Sequence, residues 1–405
     1  MLKILISILF IFITLNANIL QEAINKAKPY SIIKLKKGIY KGNIYIDKPL
    51  SILGLEKDVI IDGQNNNTTI RITSSNVILD NLVIINSGNR IDQLDAAIKI
   101  ENSTNSKIIN CTIKDSLYGI ELAMVKNTII KDNIISSKKQ DISLRGDALR
   151  LYYSHNNLIE NNQINLSKDS TMSYSNNNIF RSNFIQNSRY GLHLMKSNNN
   201  IIEKNHFQLN SVGLIFAGAK NTLVKQNLIN NSNGKAGIAV LVKGVSNFKF
   251  EENTLKYNNK AFYIDAKHNE TSIKRFFKNN RILYNSEAFH FHGAIKQNLI
   301  QDNTIIGNIE DVVKSVRGNT SSKNIVQYNY WDRYSGFDID NDNIGDTSYK
   351  VNQYADRLWH YNNKLKFFYA TPVISILNFV LNIAPFIEPV LLLEDTKPLL
   401  NPRKL

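Results

Sequence analysis

Asn199-Asn-Ile-Ile-Glu-Lys-Asn205 repeats Asn177-Asn-Ile-Phe-Arg-Ser-Asn183, which lies 22 residues earlier. In each, an asparagine precedes an apolar pair, two polar residues and a closing asparagine. The same pattern runs through Asn105–Asn110, Asn127–Asn133, Asn156–Asn162 and Asn221–Asn227, and looser copies end at Asn253, Asn280, Asn303 and Asn329. The closing asparagines recur at steps of 21 to 29 residues. The chain holds 58 Asn in 405 residues, but compositional bias cannot hold ten of them at one phase against an apolar pair. A period of this length, with several short strands per repeat and no helical stretch, predicts an all-β, right-handed parallel β-helix. Each coil must turn corners, and Asn tolerates the left-handed conformation that a corner needs. Coils stacked about 4.8 Å apart also let equivalent Asn side chains form a hydrogen-bonded ladder.

Upstream, Ile19 to Lys28 reads as a short amphipathic helix, ended by Pro29, that covers the open end of the solenoid. Short alternating segments follow at Ile32–Leu35, Gly38–Tyr40, Ile44–Ile46, Leu50–Ile52 and Val59–Gly63. About ten residues before each apolar pair lies another strand, as in Gly119-Ile-Glu-Leu-Ala, Ala148-Leu-Arg-Leu-Tyr and Gly191-Leu-His-Leu-Met. Alternation sends the leucines inward. One outward file then holds Glu121, Arg150, Thr171, His193, Tyr263 and His290. A second holds Tyr152, Ser173, Met195, Asp265 and His292. This is the most varied face in the chain and the expected interaction surface.

The ends read differently. Met1 and Lys3, an apolar run from Ile4 to Leu15 and the small-residue end Asn16-Ala17 predict a secretory signal over residues 1–17, hence a periplasmic protein. Residues 18–360 form the β-helix domain, and 361–405 a tail. The tail's four prolines, Pro372 to Pro398, forbid one continuous spanning helix. We expect its early part to cap the last coil and its later part to reach out to a partner, with Phe379 and Phe386 among the contacts. The lone Cys111 excludes a disulfide framework and, alternating with Ile113, is expected to be buried. Net charge is +15, but no dense Lys/Arg block accompanies it. That describes a solvated basic surface rather than a nucleic-acid groove.

Candidate chemistry is sparse. His193 and Met195 share one strand face and offer soft donors for transient copper contact. His290 and His292 repeat the arrangement four coils on, about 19 Å away at that spacing, so the two pairs cannot share an ion. No group of three or four converging ligands suggests a tightly bound cofactor. Asp338, Asp340, Asp342 and Asp346 alternate as in calcium loops, although Tyr349 stands where such a loop closes with Glu. The alternative is a loop held by its own side-chain to backbone hydrogen bonds. In Gly146–His155 only Asp147 is acidic, so the paired carboxylates of a glycan-cleaving wall are missing. The chain therefore reads as a non-enzyme; a carbohydrate-binding or carbohydrate-cleaving β-helix is the alternative.

The mature chain resembles the NosD family, periplasmic β-helix proteins of nitrous oxide reductase maturation. The resemblance rests on Gly146-Asp-Ala-Leu-Arg-Leu-Tyr-Tyr-Ser154, Tyr190-Gly-Leu-His-Leu-Met195, Asn329-Tyr-Trp-Asp332, Gly336-Phe-Asp-Ile-Asp340, Ile344-Gly-Asp-Thr347 and Tyr354-Ala-Asp-Arg-Leu-Trp359. In the tail it rests on Phe367-Phe-x-x-x-Pro372 and Ala384-Pro-Phe-x-Glu-Pro389. Lys196 and Asn343 depart from the family's usual Tyr and Gly. The resemblance implies partnership with an ABC-type membrane permease and its ATPase. It also implies support for assembly of the reductase's copper-sulfide centre by docking nitrous oxide reductase or a copper chaperone. It carries over no catalytic residue. Arg150 and Tyr152 are the expected partner contacts on the lateral face.

Overall fold

The computed structural model describes residues 19–234, 236–265, 275–315, 323–353, 371–373, 376, 380 and 390–403. Phe379 and Phe386 lie outside them. The strands form a parallel β-solenoid with three sheets of 13, 13 and 12 strands, in which each strand pairs with the third one along the sequence. The expected strands are present: Ser31–Leu35, Gly38–Lys41, Ile44–Ile46, Leu50–Gly54 and Val59–Asp62 fall in succession into sheets A, B, C, A and B. Two compact units share this coil, residues 1–171 and 172–405.

In the first unit, helix α1 (Ile19–Lys26) buries Leu20 and Ile24. Gln21 exchanges hydrogen bonds with the Tyr45 backbone, donating at 3.1 Å and accepting at 2.7 Å. Those bonds occupy the first coil's edge. The core is largely aliphatic, with Ile46, Ile52, Ile61, Leu79 and Ile98 fully buried. The second unit's core changes to packed aromatics, Phe250, Phe262, Phe277 and Phe289, mostly edge-to-face, with ring centroids 4.9–6.5 Å apart.

The two asparagines of the repeat have separate duties. The opening residues Asn105, Asn127, Asn156, Asn177, Asn199 and Asn221 have φ between 50° and 58° and turn the corner. The closing residues, from Asn133 through Asn183 and Asn253 to Asn329, are buried and make the ladder. Their side-chain oxygens take backbone N–H groups of the preceding coil, as in Asn253 N to Asn280 Oδ1 at 2.9 Å and Asn280 N to Asn303 Oδ1 at 3.0 Å. One member differs from expectation. Asn110 is a corner residue with φ 54°, and the buried ladder slot belongs to Cys111, whose N–H donates to Asn133 Oδ1 at 2.9 Å. Cys111 is buried as expected, and burial pushes its thiol up to about 12.

The tail corrects an expectation. Its described end does not reach out: Val390–Asp395 pairs antiparallel with Tyr349–Gln353, and Leu392, Leu393 and Leu399 are buried. Backbone bonds Tyr328 N to Lys397 O (2.7 Å) and Leu399 N to Asn329 O (2.9 Å) seal the last coil. The reason is the edge that the last coil would otherwise leave unpaired. Asp395 ends the ladder, its Oδ2 accepting from Asn329 Nδ2 and Trp331 Nε1, each at 2.9 Å. An acceptor-only carboxylate suits that terminus, because among the described residues no further coil follows to take another amide.

Candidate functional site

The outer face of sheet C carries the expected files. In the first unit Tyr45, Arg71, Lys99, Glu121 and Arg150 stand in register. With Glu101, the charged members form an alternating ion chain: Arg71 Nε to Glu101 Oε2 is 2.6 Å, Lys99 Nζ to Glu101 Oε1 and to Glu121 Oε2 is 3.6 Å each, and Arg150 Nη1 to Glu121 Oε1 is 2.6 Å. Glu121 lies in the expected outward file but is buried beneath its two cations, and burial raises its carboxyl pKa despite Lys99 and Arg150. Arg150 also lies 5.3 Å from the centre of the exposed Tyr152 ring, a cation–π contact. A cavity of about 490 Å³ opens at the start of this face, lined by Asn43, Tyr45, Asn67, Arg71, Arg90 and Lys99.

Sequence reading missed a second acid. Burial, and next the charge of Asp169, push Asp147 up to about 7, against a 2.9 Å hydrogen bond donated by Thr171. Asp169 escaped notice because it begins its strand, Asp169–Ser173, ahead of the outward file. The only sequence signal was an acid at the entry of a sheet C strand. Because the folded pKa is raised, the native state holds this proton more tightly than the unfolded chain. The stability it contributes is complete below about pH 4 and is lost as pH rises towards 7. We expect Asp147→Asn to flatten that part of the stability–pH curve, read as melting temperature from pH 4 to 8. Parallel curves for the two proteins would refute the assignment.

In the second unit His193 is half-buried, edge-on to Tyr190 at 5.8 Å, and Met195 is exposed. Met195 borders an apolar hollow of about 350 Å³ with Tyr174, Lys196, Gly218, Lys243 and Gly244. The hollow has a local cause. Tyr174, Lys196, Gly218 and Gly244 occupy left-handed corner positions with φ of 51°, 46°, 65° and 58°, and the two glycines leave no side chain over the floor.

His290 departs from the copper expectation. It is buried, its Nδ1 lies 2.6 Å from Glu287 Oε2 and its Nε2 lies 2.7 Å from Ser315 Oγ. With both ring nitrogens engaged it offers no donor, and the pair with His292 is not a metal clip. His292 is exposed and its ring stacks on Tyr263 at 5.8 Å.

In the Asp-rich loop, ligand oxygens of Asp338, Asp340 and Asp342 lie within 4.8 Å of one another. Asp346 is not among them; its Oδ2 accepts Ile339 N at 2.8 Å. Asp338 accepts Asn343 N at 2.9 Å and Asp342 accepts Ile344 N at 2.7 Å. The loop therefore has the internal bonds of the alternative reading together with a gathered carboxylate trio.

The stacked coils and the lateral face define a parallel β-helix, and residues 53–168 match the family described as a right handed beta helix region. Residues 137–336 match the family described as "Periplasmic copper-binding protein (NosD)". A probable ABC transporter binding protein NosD from Pseudomonas aeruginosa is 28% identical over 368 residues, 87% of this chain and 85% of that protein. One from Stutzerimonas stutzeri is 29% identical over 131 residues, 32% of this chain and 30% of that protein. The chain is thus similar to NosD proteins along most of its length. Among solved structures, the catalytic unit of an α-1,3-glucanase from Streptomyces thermodiastaticus has a TM-score of 0.56 at 11% identity, over 77% of this chain and 65% of that one. An exopolygalacturonase from Thermotoga maritima has a TM-score of 0.51 at 14% identity, over 73% and 86%. Both likenesses are of fold. No helix among the described residues is long and apolar enough to cross a membrane.

Proposed function

We propose that this chain is the periplasmic scaffold of an ABC-type transporter that supports assembly of the copper-sulfide centre of nitrous oxide reductase. It works by docking the reductase or a copper chaperone against sheet C. The observation that carries this reading is the relation to a probable ABC transporter binding protein along 87% of the chain. The site chemistry agrees with it. His193 and Met195 offer an imidazole and a thioether for copper as passing cargo, and Arg150 and Tyr152 offer a polar and aromatic partner contact. For the transporter side, Val373, Ile376 and Val380, spaced three and four residues apart, are all exposed, as a docking stripe would be. The ATPase and permease supply the energy. The test is the copper spectrum of the reductase from a host lacking this gene; both centres intact would overturn the reading.

Calcium at Asp338, Asp340 and Asp342 is a subsidiary proposal. The charge of Asp342 raises the Asp340 carboxyl, and a cation would relieve that repulsion. Millimolar calcium should raise the melting temperature of the native chain and leave Asp340→Asn unmoved. No shift in the native chain would reduce the loop to its own hydrogen bonds.

Asp147 beside Asp169 and Arg150 favours a second reading, a carbohydrate-binding or carbohydrate-cleaving wall. It requires binding or turnover of uronate or neutral glycans that Asp147→Asn abolishes.

A further inference from the structure

Phe337 and Ile339 are 73% and 82% exposed, and Ile339 is the most exposed large apolar side chain among the described residues. Such exposure normally belongs to a loose segment, but this loop is pinned from every side. Asp346 N donates to Phe337 O at 2.9 Å, closing its neck. The Tyr334 ring fills the interior, its hydroxyl donating to Thr347 O at 2.7 Å. Gly336 and Gly345 flank that hydroxyl so closely that a Cβ on either would overlap it. The C-terminal segment holds the far side through Gly345 N to Pro398 O (2.8 Å) and Leu400 N to Asn343 O (3.2 Å). Bonds within the loop do not need its tip to be apolar, so the tip's character is free for another use. An apolar side chain already held in its bound position loses little conformational entropy on docking.

Charge narrows the occupant. Between residues 334 and 349 the chain has Asp338, Asp340, Asp342 and Asp346 and no Lys or Arg, within a protein of net charge +15. An acidic collar around two apolar tips complements an apolar notch rimmed by Lys or Arg. It opposes insertion into anionic lipid.

We propose that Phe337 and Ile339 are a preformed finger that docks into a basic-rimmed apolar notch on the transporter's periplasmic surface. This rests on the transporter reading above and deepens it.

The test measures binding of the full chain to its host's permease–ATPase complex in nanodiscs, by biolayer interferometry. Phe337→Ser/Ile339→Ser should weaken binding by about tenfold or more, with an unchanged melting temperature. Asp340→Lys should weaken it several-fold and remove much of its salt dependence. Asp340 suits this reversal because Asp338, Asp342 and Asp346 make the backbone bonds, and binding is measured in EDTA so that calcium at the carboxylate trio does not enter. Tight binding by the native chain and by both variants alike would overturn the finger and leave the transporter reading standing. No binding by the native chain would overturn both. Two further results would reassign the tips and overturn the proposal if the variants still bind the transporter. One is loss of flotation with phosphatidylethanolamine–phosphatidylglycerol vesicles; the other is loss of self-association in sedimentation.

Discussion

Nitrous oxide reductase purified from a host lacking this gene is expected to carry its electron-transfer copper centre and to lack its copper-sulfide centre. The effect should be close to all or none, because a scaffold that brings cargo and recipient together replaces a rare encounter with a local one. Within the gene, His193→Ala/Met195→Ala is the sharpest variant. Both side chains stand on the outer face of sheet C, between inward neighbours Leu192 and Leu194 that are buried. Surface changes of this kind shift stability by only about 0.5 kcal/mol, so a folded protein with a maturation defect is the expected result. Full reductase activity with the double variant would sink the copper-face idea while leaving the scaffold. Both copper centres intact in the deletion host would sink the scaffold as well, and the Asp147 face should then be screened against glycans.

The largest stability effect is expected inside the ladder. Asn280 Nδ2 donates to Phe250 O at 2.9 Å and to Asn303 Oδ1 at 2.9 Å, and its Oδ1 accepts Asn253 N at 2.9 Å. Asn280→Ala leaves a buried N–H and a buried C=O without partners. Each orphaned group costs about 1–3 kcal/mol, and a small cavity adds to that, so about 3–5 kcal/mol should be lost. The adjacent Asn279 has only the corner duty, with φ 54°. Glycine meets that need, so Asn279→Gly should stay within about 1 kcal/mol. Urea unfolding followed by circular dichroism compares the two. A loss below about 1 kcal/mol for Asn280→Ala would mean that water fills the slot and that the ladder is dispensable.

That contrast also marks how far sequence reading reached. The spacing of asparagines against apolar pairs is a local pattern, and it sufficed for the β-helix; the amphipathic face of Ile19 to Lys28 and the alternation along each strand sufficed for the capping helix and the two outward files of sheet C. It merged the two asparagine duties, because residues 279 and 280 are neighbours in sequence while one faces the corner and the other faces the core. Cys111 holds the ladder slot, whereas Asn110, one residue earlier, satisfies the sequence pattern.

What the chain determines by itself is periodicity: which residues alternate, where a corner falls, and which side chains share a face. Only the tertiary structure decided what meets across coils. Stacking places Arg150 on Glu121, which lies 29 residues earlier; it sets Asp169 near enough to Asp147 to raise its carboxyl pKa and closes both nitrogens of His290. The return of Asp395 to Asn329, 66 residues back, turned an expected reaching arm into a seal. Those outcomes depend on the number of residues in each intervening turn and on which edge lacks a partner, and no local spacing encodes either.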